Sequence, residues 1–300
     1  MTRRESLALL GAAALTPWTR AAAAIGSSIA CNTYPWLTFA RRAGNDFALH
    51  SDALLAAFRD CGFAGYEPII EAPQEFDALA PRLKAHGLKM RSLYVNSVMH
   101  DPERAESSVE TVLAIARRAR TLGTRIIVTN PSPIRWGGDE DKSDAQLRLQ
   151  AEGLGRLGRQ LREMGMTLAY HNHDAELRRG AREFHHMLAG TDPEDVKFCL
   201  DAHWIYRGCG DSEVAVFDAL RLYGDRVVEL HLRQSVGGPW SEAFAMQGDI
   251  DYTRLFAWLA ERGHRPHLVL EQPVEADSPN GLDAVTAHRK GRENVRWPQA

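Results

Sequence analysis

One unit recurs along this chain and limits what it can fold into: an amphipathic run closes on a glycine, and a short apolar, β-rich segment follows. Residues 54–62 precede 63–67, 83–87 precede 90–95, and 116–123 precede 125–129. The same order returns in 161–165 before 167–171 and in 259–263 before 267–271. Glycine accepts the left-handed conformation that ends a helix, so the chain can turn back at once. Helices alternating with short, continuously apolar strands imply parallel pairing, because each crossover must travel back along the sheet. Segments 28–32, 196–201 and 227–231 bring the strands to eight. Eight units spaced at about 25–40 residues fit an α/β fold, a single (β/α)8 TIM barrel over residues 25–300. A doubly wound open sheet would show a glycine-rich phosphate loop after its first strand; Thr33-Tyr34-Pro35-Trp36 stands there instead.

Residues 1–24 are set apart from the barrel. Arg3-Arg4 is followed by a short apolar run, 8–15, and then by Ala21-Ala22-Ala23-Ala24. A basic start, an apolar middle and small residues at the end make a signal peptide and not a membrane span. The paired arginines resemble a twin-arginine signal, which places the protein in the periplasm or outside the cell. Export brings an oxidising compartment. The four cysteines, Cys31, Cys61, Cys199 and Cys209, match no zinc spacing and read as buried free thiols, a Cys199–Cys209 bridge being the alternative. A formal charge of −3 over 300 residues, with acids interleaved among the arginines, gives no basic footprint for nucleic acid.

In a barrel, chemistry gathers where strands run into the following loops. Here strand 2 ends at Glu67, strand 4 at Thr129-Asn130, and strand 5 runs into His171-Asn172-His173-Asp174, with Glu176 beyond. Strand 6 ends at Asp201, followed by His203 and Trp204; strand 7 holds Glu229 and His231 and leads to Arg233-Gln234; strand 8 ends in Glu271-Gln272. Carboxylates and imidazoles converging on one mouth suit a divalent cation, Mn, Co, Mg or Zn. Without one, such like charges are costly to hold together. Trp36 and Trp204 read either as apolar walls for a sugar ring or as core aromatics. His86, His185, His186, His264 and His288 lack strand-end positions and read as surface residues.

At these residues the chain resembles the xylose-isomerase-like TIM-barrel family of sugar and sugar-phosphate isomerases and epimerases. The resemblance rests on residues 62–67, on Tyr170-His171-Asn172-His173-Asp174-Ala175-Glu176, on Leu200-Asp201, on His231-Leu232-Arg233 and on Leu270-Glu271. It implies a metal held by side chains from strands 5 to 8, which makes Asp201, His231 and Glu271 ligands. Many relatives carry a glutamate within strand 5, where this chain has His171. Either Glu176 swings back to complete the set, the reading adopted here, or the imidazole of His171 or His173 replaces the acid. Gln234 stands where relatives often have aspartate, and residues 247–251 resemble a loop at the family's mouth in altered form.

The resemblance implies an isomerase or epimerase that moves a proton through an enediolate on a free or keto sugar. Glu176, Glu271, His171 and His173 are the acid–base candidates, and Glu67, Trp204 and Arg233 the candidates for substrate contact. Loss of a β-leaving group would instead make it a lyase or hydrolase of 3-keto-glycosides. A non-catalytic sugar-binding barrel is the remaining alternative. A DNA-repair branch shares the barrel, but it would need further metal ligands and a basic face. The expected partner is a small sugar, with no nucleic acid and no membrane; the sequence leaves a homo-oligomer open.

Overall fold

The computed structural model describes residues 29–298 apart from Phe47. The export segment expected over residues 1–24 lies outside the described residues. Eight strands follow in chain order: β1 (Ala30–Asn32), β2 (Gly65–Glu67), β3 (Ser92–Ser97), β4 (Ile126–Pro131), β5 (Thr167–His171), β6 (Val196–Asp201), β7 (Val227–Leu232) and β8 (His267–Leu270). They form one parallel sheet in the order β2-β1-β8-β7-β6-β5-β4-β3. Parallel bridges from Gly65 to Lys89 and from Ile69 to Tyr94 carry the sheet round from β2 to β3. The eight-stranded barrel read from the sequence is therefore present.

Helices between the strands cover its outside: α1 (Tyr34–Arg42), α2 (Asp52–Asp60), α3 (Phe76–His86), α4 (Ala105–Thr121), α5 (Asp144–Glu163), α6 (Arg178–Ala189), α7 (Ala202–Gly208), α8 (Glu213–Tyr223), α9 (Tyr252–Glu261) and α10 (Ala284–Asn294). Local chemistry sets their limits. Ser143 caps α5 by accepting from the Gln146 amide, while the Gln146 side chain accepts from Ser143 N–H. The five glycines of the repeat, Gly62, Gly87, Gly123, Gly165 and Gly263, all have φ between 62° and 94°, the conformation that stops a helix and returns the chain to the sheet. Gly65 serves another need, since a Cβ there would lie 2.7 Å from Ala30 Cβ on the neighbouring strand.

The main apolar core lies between helices and barrel wall and includes Leu55, Phe58, Leu154, Phe198, Leu220 and Phe256. A second, smaller cluster of Tyr94, Ile126, Val128, Ala169 and Cys199 fills the barrel itself. All four cysteines are free, as the spacing implied. No helix among the described residues is long and apolar enough to cross a membrane.

Candidate metal centre and sugar cavity

Successive strand residues face opposite sides, so the barrel-filling cluster fixes what reaches the mouth. Ala169 of β5 points inward, and therefore so does His171; Cys199 of β6 brings Asp201 with it. β7 sends in Glu229, His231 and, just beyond its end, Arg233, while Glu271 follows β8. The register seats Asp201 beside His231. One ligand atom from each of His171, Asp201, His231 and Glu271 lies within 4.8 Å of the others, and all four residues are buried. Asp201 Oδ1 accepts from the amides of His203 and Trp204, both at 3.0 Å, and so caps α7. Its Oδ2 is left facing the cluster.

Arg233 governs the electrostatics. Only 1% exposed, it sets Nε 2.8 Å from Asp201 Oδ2 and pairs through Nη2 with Glu271. Its guanidinium lies over the rings of Trp204 and Trp240, 4.9 and 5.1 Å from their centroids. Burial pushes the Asp201 carboxyl up to about 6, against the pull of Arg233. For Glu271 the balance reverses: burial opposes ionisation, but Arg233 and His231 hold its carboxyl well below the usual range.

His231 stands between two levels of the site. Its Nδ1 is 2.7 Å from Glu271 Oε2, and its Nε2 is 3.1 Å from Glu67 and 3.3 Å from Glu229. Burial alone would drive a proton off the ring, yet the surrounding acids hold its pKa well above the ordinary histidine value. Below it, Glu67 also accepts from Asn32 Nδ2 at 2.7 Å and Ser92 Oγ at 3.1 Å. Burial and the charge of Glu67 raise the Glu229 carboxyl well above the usual range. Despite its burial, Glu67 is held below the ordinary range by His231.

Residues 55–297 match the family model described as Xylose isomerase-like TIM barrel. The chain belongs to that family. An inosose dehydratase from Clostridium botulinum is 24% identical over 263 residues, 78% of this chain and 85% of that protein. A sugar phosphate isomerase/epimerase from Parabacteroides distasonis superposes with a TM-score of 0.65 at 19% identity, covering 89% of this chain and 93% of that one. D-Psicose 3-epimerase from Clostridium cellulolyticum gives 0.64 at 15% identity, with 89% and 96% covered. At such identities these two structures establish the shared fold.

Within this family barrel, two of the expected residue positions need correction. Glu176 does not join the ligand cluster. It turns away to accept from the His173 amide and from Asn130 Nδ2, and burial followed by nearby Glu183 raises its carboxyl to about 7. His171 occupies the strand 5 position in its place, as one of the alternatives read from the sequence had it. Glu67 does not line the cavity either; its strand ends one level lower, beneath His231, and its oxygens are used there. His288, read as a surface residue, is corrected as well, and Trp36 takes the core-aromatic alternative. They stack on each other in the outer layer, centroids 4.2 Å apart, and His288 is buried.

Above the cluster opens a cavity of about 380 Å³. Glu271 and Arg233 form its floor-side lining, with His173, Trp204 and Tyr94 on its walls. His173 packs edge-on to His171 at 4.8 Å and lies 5.3 Å from Trp204. Burial, then Arg233, lowers its imidazole to about 3. Tyr34, Asn96 and Trp136 also line the cavity, and sequence reasoning missed them. Trp136 had a readable signal, an indole two residues after Ile134 in a loop just after a strand end. A larger cavity, about 720 Å³, lies outside the barrel between α1, α2 and residues 280–285, away from the strand ends.

The donor set fits the divalent metal that the family resemblance implies. Both ring nitrogens of His171 are buried without a hydrogen-bond partner, beside the inward-facing Asp201 Oδ2. His171, Asp201, His231 and Glu271 would hold the ion. Ligation by His231 requires its ring to give up a proton, and a bound cation would share the two carboxylates with Arg233.

Proposed function

We propose that this protein is a divalent-metal-dependent sugar isomerase or epimerase that moves a proton next to a carbonyl. The observation that carries this reading is the meeting of His171, Asp201, His231 and Glu271 under a cavity lined by His173 and two indoles. Two imidazole nitrogens and two carboxylate oxygens suit Mn, Co or Zn better than Mg, which favours an all-oxygen shell. A metal held there would supply Lewis-acid stabilisation of charge developing on a substrate oxygen.

The chain's own groups do the rest. His173 is uncharged at neutral pH and stands in the cavity wall as a proton acceptor. Glu271 is ionised and lines the same cavity as a second base. Bases at two points of one cavity can remove a C–H proton and return it to a neighbouring carbon or to the opposite face. Arg233, fixed by two carboxylates, keeps a positive charge beside the oxygen where electrons gather. Trp204 and Trp136 give a sugar ring an apolar wall. Glu176 supports the site indirectly by gripping the His173 amide. With residues 1–24 read as an export signal, free and 3-keto sugars are the proposed substrates, because sugar phosphates are normally intracellular.

A second reading is favoured by the curated relatives named inosose dehydratases. Proton removal beside the carbonyl, followed by departure of a β-hydroxyl, would make the enzyme a dehydratase. One experiment tests both. The metal-loaded full chain is incubated with a panel of 3-keto sugars in heavy water. Deuterium entering the carbon beside the carbonyl, together with an epimer or isomer, supports the first reading; an enone with loss of water supports the second. Neither deuterium uptake nor loss of water from any keto sugar would overturn both and leave a sugar-binding barrel.

A further inference from the structure

A second cavity, about 490 Å³, opens beside the first at the same end of the barrel. The two share Asn96 and Trp136. Asn96 is the exposed residue of β3, and its side-chain carboxamide makes no hydrogen bond within the described residues. Trp136 is 53% exposed, with its edge against His173 at 5.2 Å. An indole this open is normally tucked away or left on a loose loop, and here the loop is fastened. Arg178 donates to the Gly138 and Glu140 carbonyls at 2.8 and 3.0 Å and pairs with Asp141. Arg179 pairs with Asp141, and Arg182 with the Lys142 carbonyl and Asp144. A fixed, exposed aromatic face between two cavities is a platform for a ring.

The rest of the second cavity carries hydrogen-bonding groups without a charge excess. Ser107 and Thr111 present hydroxyl oxygens from α4 as acceptors, their protons donated to the Arg104 and Ser107 carbonyls, and Arg104 and Glu71 contribute opposite charges. Arg135, the other cation, is already paired with Glu140 at 3.2 Å. That lining favours a neutral polyhydroxylated ring over a phosphate.

We infer that the second cavity is a subsite for a second sugar ring stacked on Trp136, so that the preferred substrate is a glycoside of two rings. This rests on the proposed sugar chemistry of the first cavity. The test is calorimetric titration of the full chain with matched probes: methyl 3-keto-glucoside as the one-ring ligand, 3-keto-maltose and 3-keto-cellobiose as two-ring ligands, and inorganic phosphate. A two-ring probe is expected to bind about tenfold tighter than the one-ring probe, the gain of one aromatic stacking contact. That ratio should fall towards one in Trp136→Ala, survive in Trp136→Phe, and collapse in Ser107→Trp, which fills the second cavity from α4. Equal affinities for one and two rings in the unaltered protein would overturn the subsite while leaving the first cavity's reading intact. Phosphate that displaces the two-ring probe would overturn it in favour of an anion site. If no keto sugar binds at all, the sugar reading of the first cavity fails, and the subsite falls with it.

Discussion

Strands β5 to β8 carry His171, Asp201, Arg233 and Glu271 to the barrel mouth, whereas β2 to β4 and their loops bring Ile69, Tyr94, Asn96 and Trp136. Within the first cavity, charge is confined to one half, and shape and neutral polarity to the other. Buried charges are tolerable only when matched, and β6 to β8 stand close enough for a single guanidinium to touch two of their carboxylates. The acid of β2, Glu67, is drawn down into the same network through His231. The opposite wall of the first cavity, Ile69, Tyr94, Asn96 and Trp136, carries no charge and can set which ligand fits. Chemistry on one side and selection on the other is the division this implies.

The sharpest way to break that division is at Glu271. Glu271→Gln should cut deuterium exchange into a keto sugar by about 10³-fold, the scale of a lost acid–base group, with a much smaller change in KM. A change in KM alone would assign the residue to binding. Next in size is Arg233→Met, which leaves Asp201 and Glu271 buried without their counterion. Unfolding of the metal-free protein in urea should show a loss of about 3 kcal/mol, and saturating Mn or Zn should restore part of it. Equal stability of the two proteins would mean that the pairing contributes little.

On the neutral side, Asn96→Ala should raise KM by roughly fivefold, the loss of about one hydrogen bond. Steady-state kinetics should find kcat within about twofold of the original, and a large fall in kcat would erase the distinction between the halves. The smallest effect lies outside both. Burial holds His288 at about 4, below the ordinary value near 6.5. The unfolded chain therefore binds the extra proton first as pH falls. The contribution of this group is fully present above about 6.5 and is lost progressively towards 4. His288→Phe should flatten the pH dependence of the urea midpoint in that window, and an unchanged slope would show that other histidines account for it.

Much of this was legible in the sequence. The glycines that end the helices and the apolar runs after them gave the barrel, because both reflect local backbone physics. Asp201, His231 and Glu271 were legible as strand-end residues that the family resemblance singled out, and the barrel brings them together. Glu176 was misplaced because it follows the strand by five residues, and its direction depends on Asn130 and the His173 amide. No linear pattern encodes those contacts. Glu67 was placed one level too high, since strand length and stagger decide depth. His288 was read as surface because α10 meets α1 only in three dimensions, where Trp36 covers the ring. Gln234, a departure from the family pattern, fastens the 245–250 loop by donating to the Ile250 and Ala245 carbonyls.

The central claim is that four strand-end side chains hold one divalent metal. Metal content of the purified protein, measured alongside Asp201→Ala and Glu271→Ala, tests it most directly. About one Mn, Co or Zn per chain, lost in both variants while Asn96→Ala keeps it, is the expected result. An unaltered protein that holds no metal even after reconstitution, or variants that retain it fully, would contradict the account.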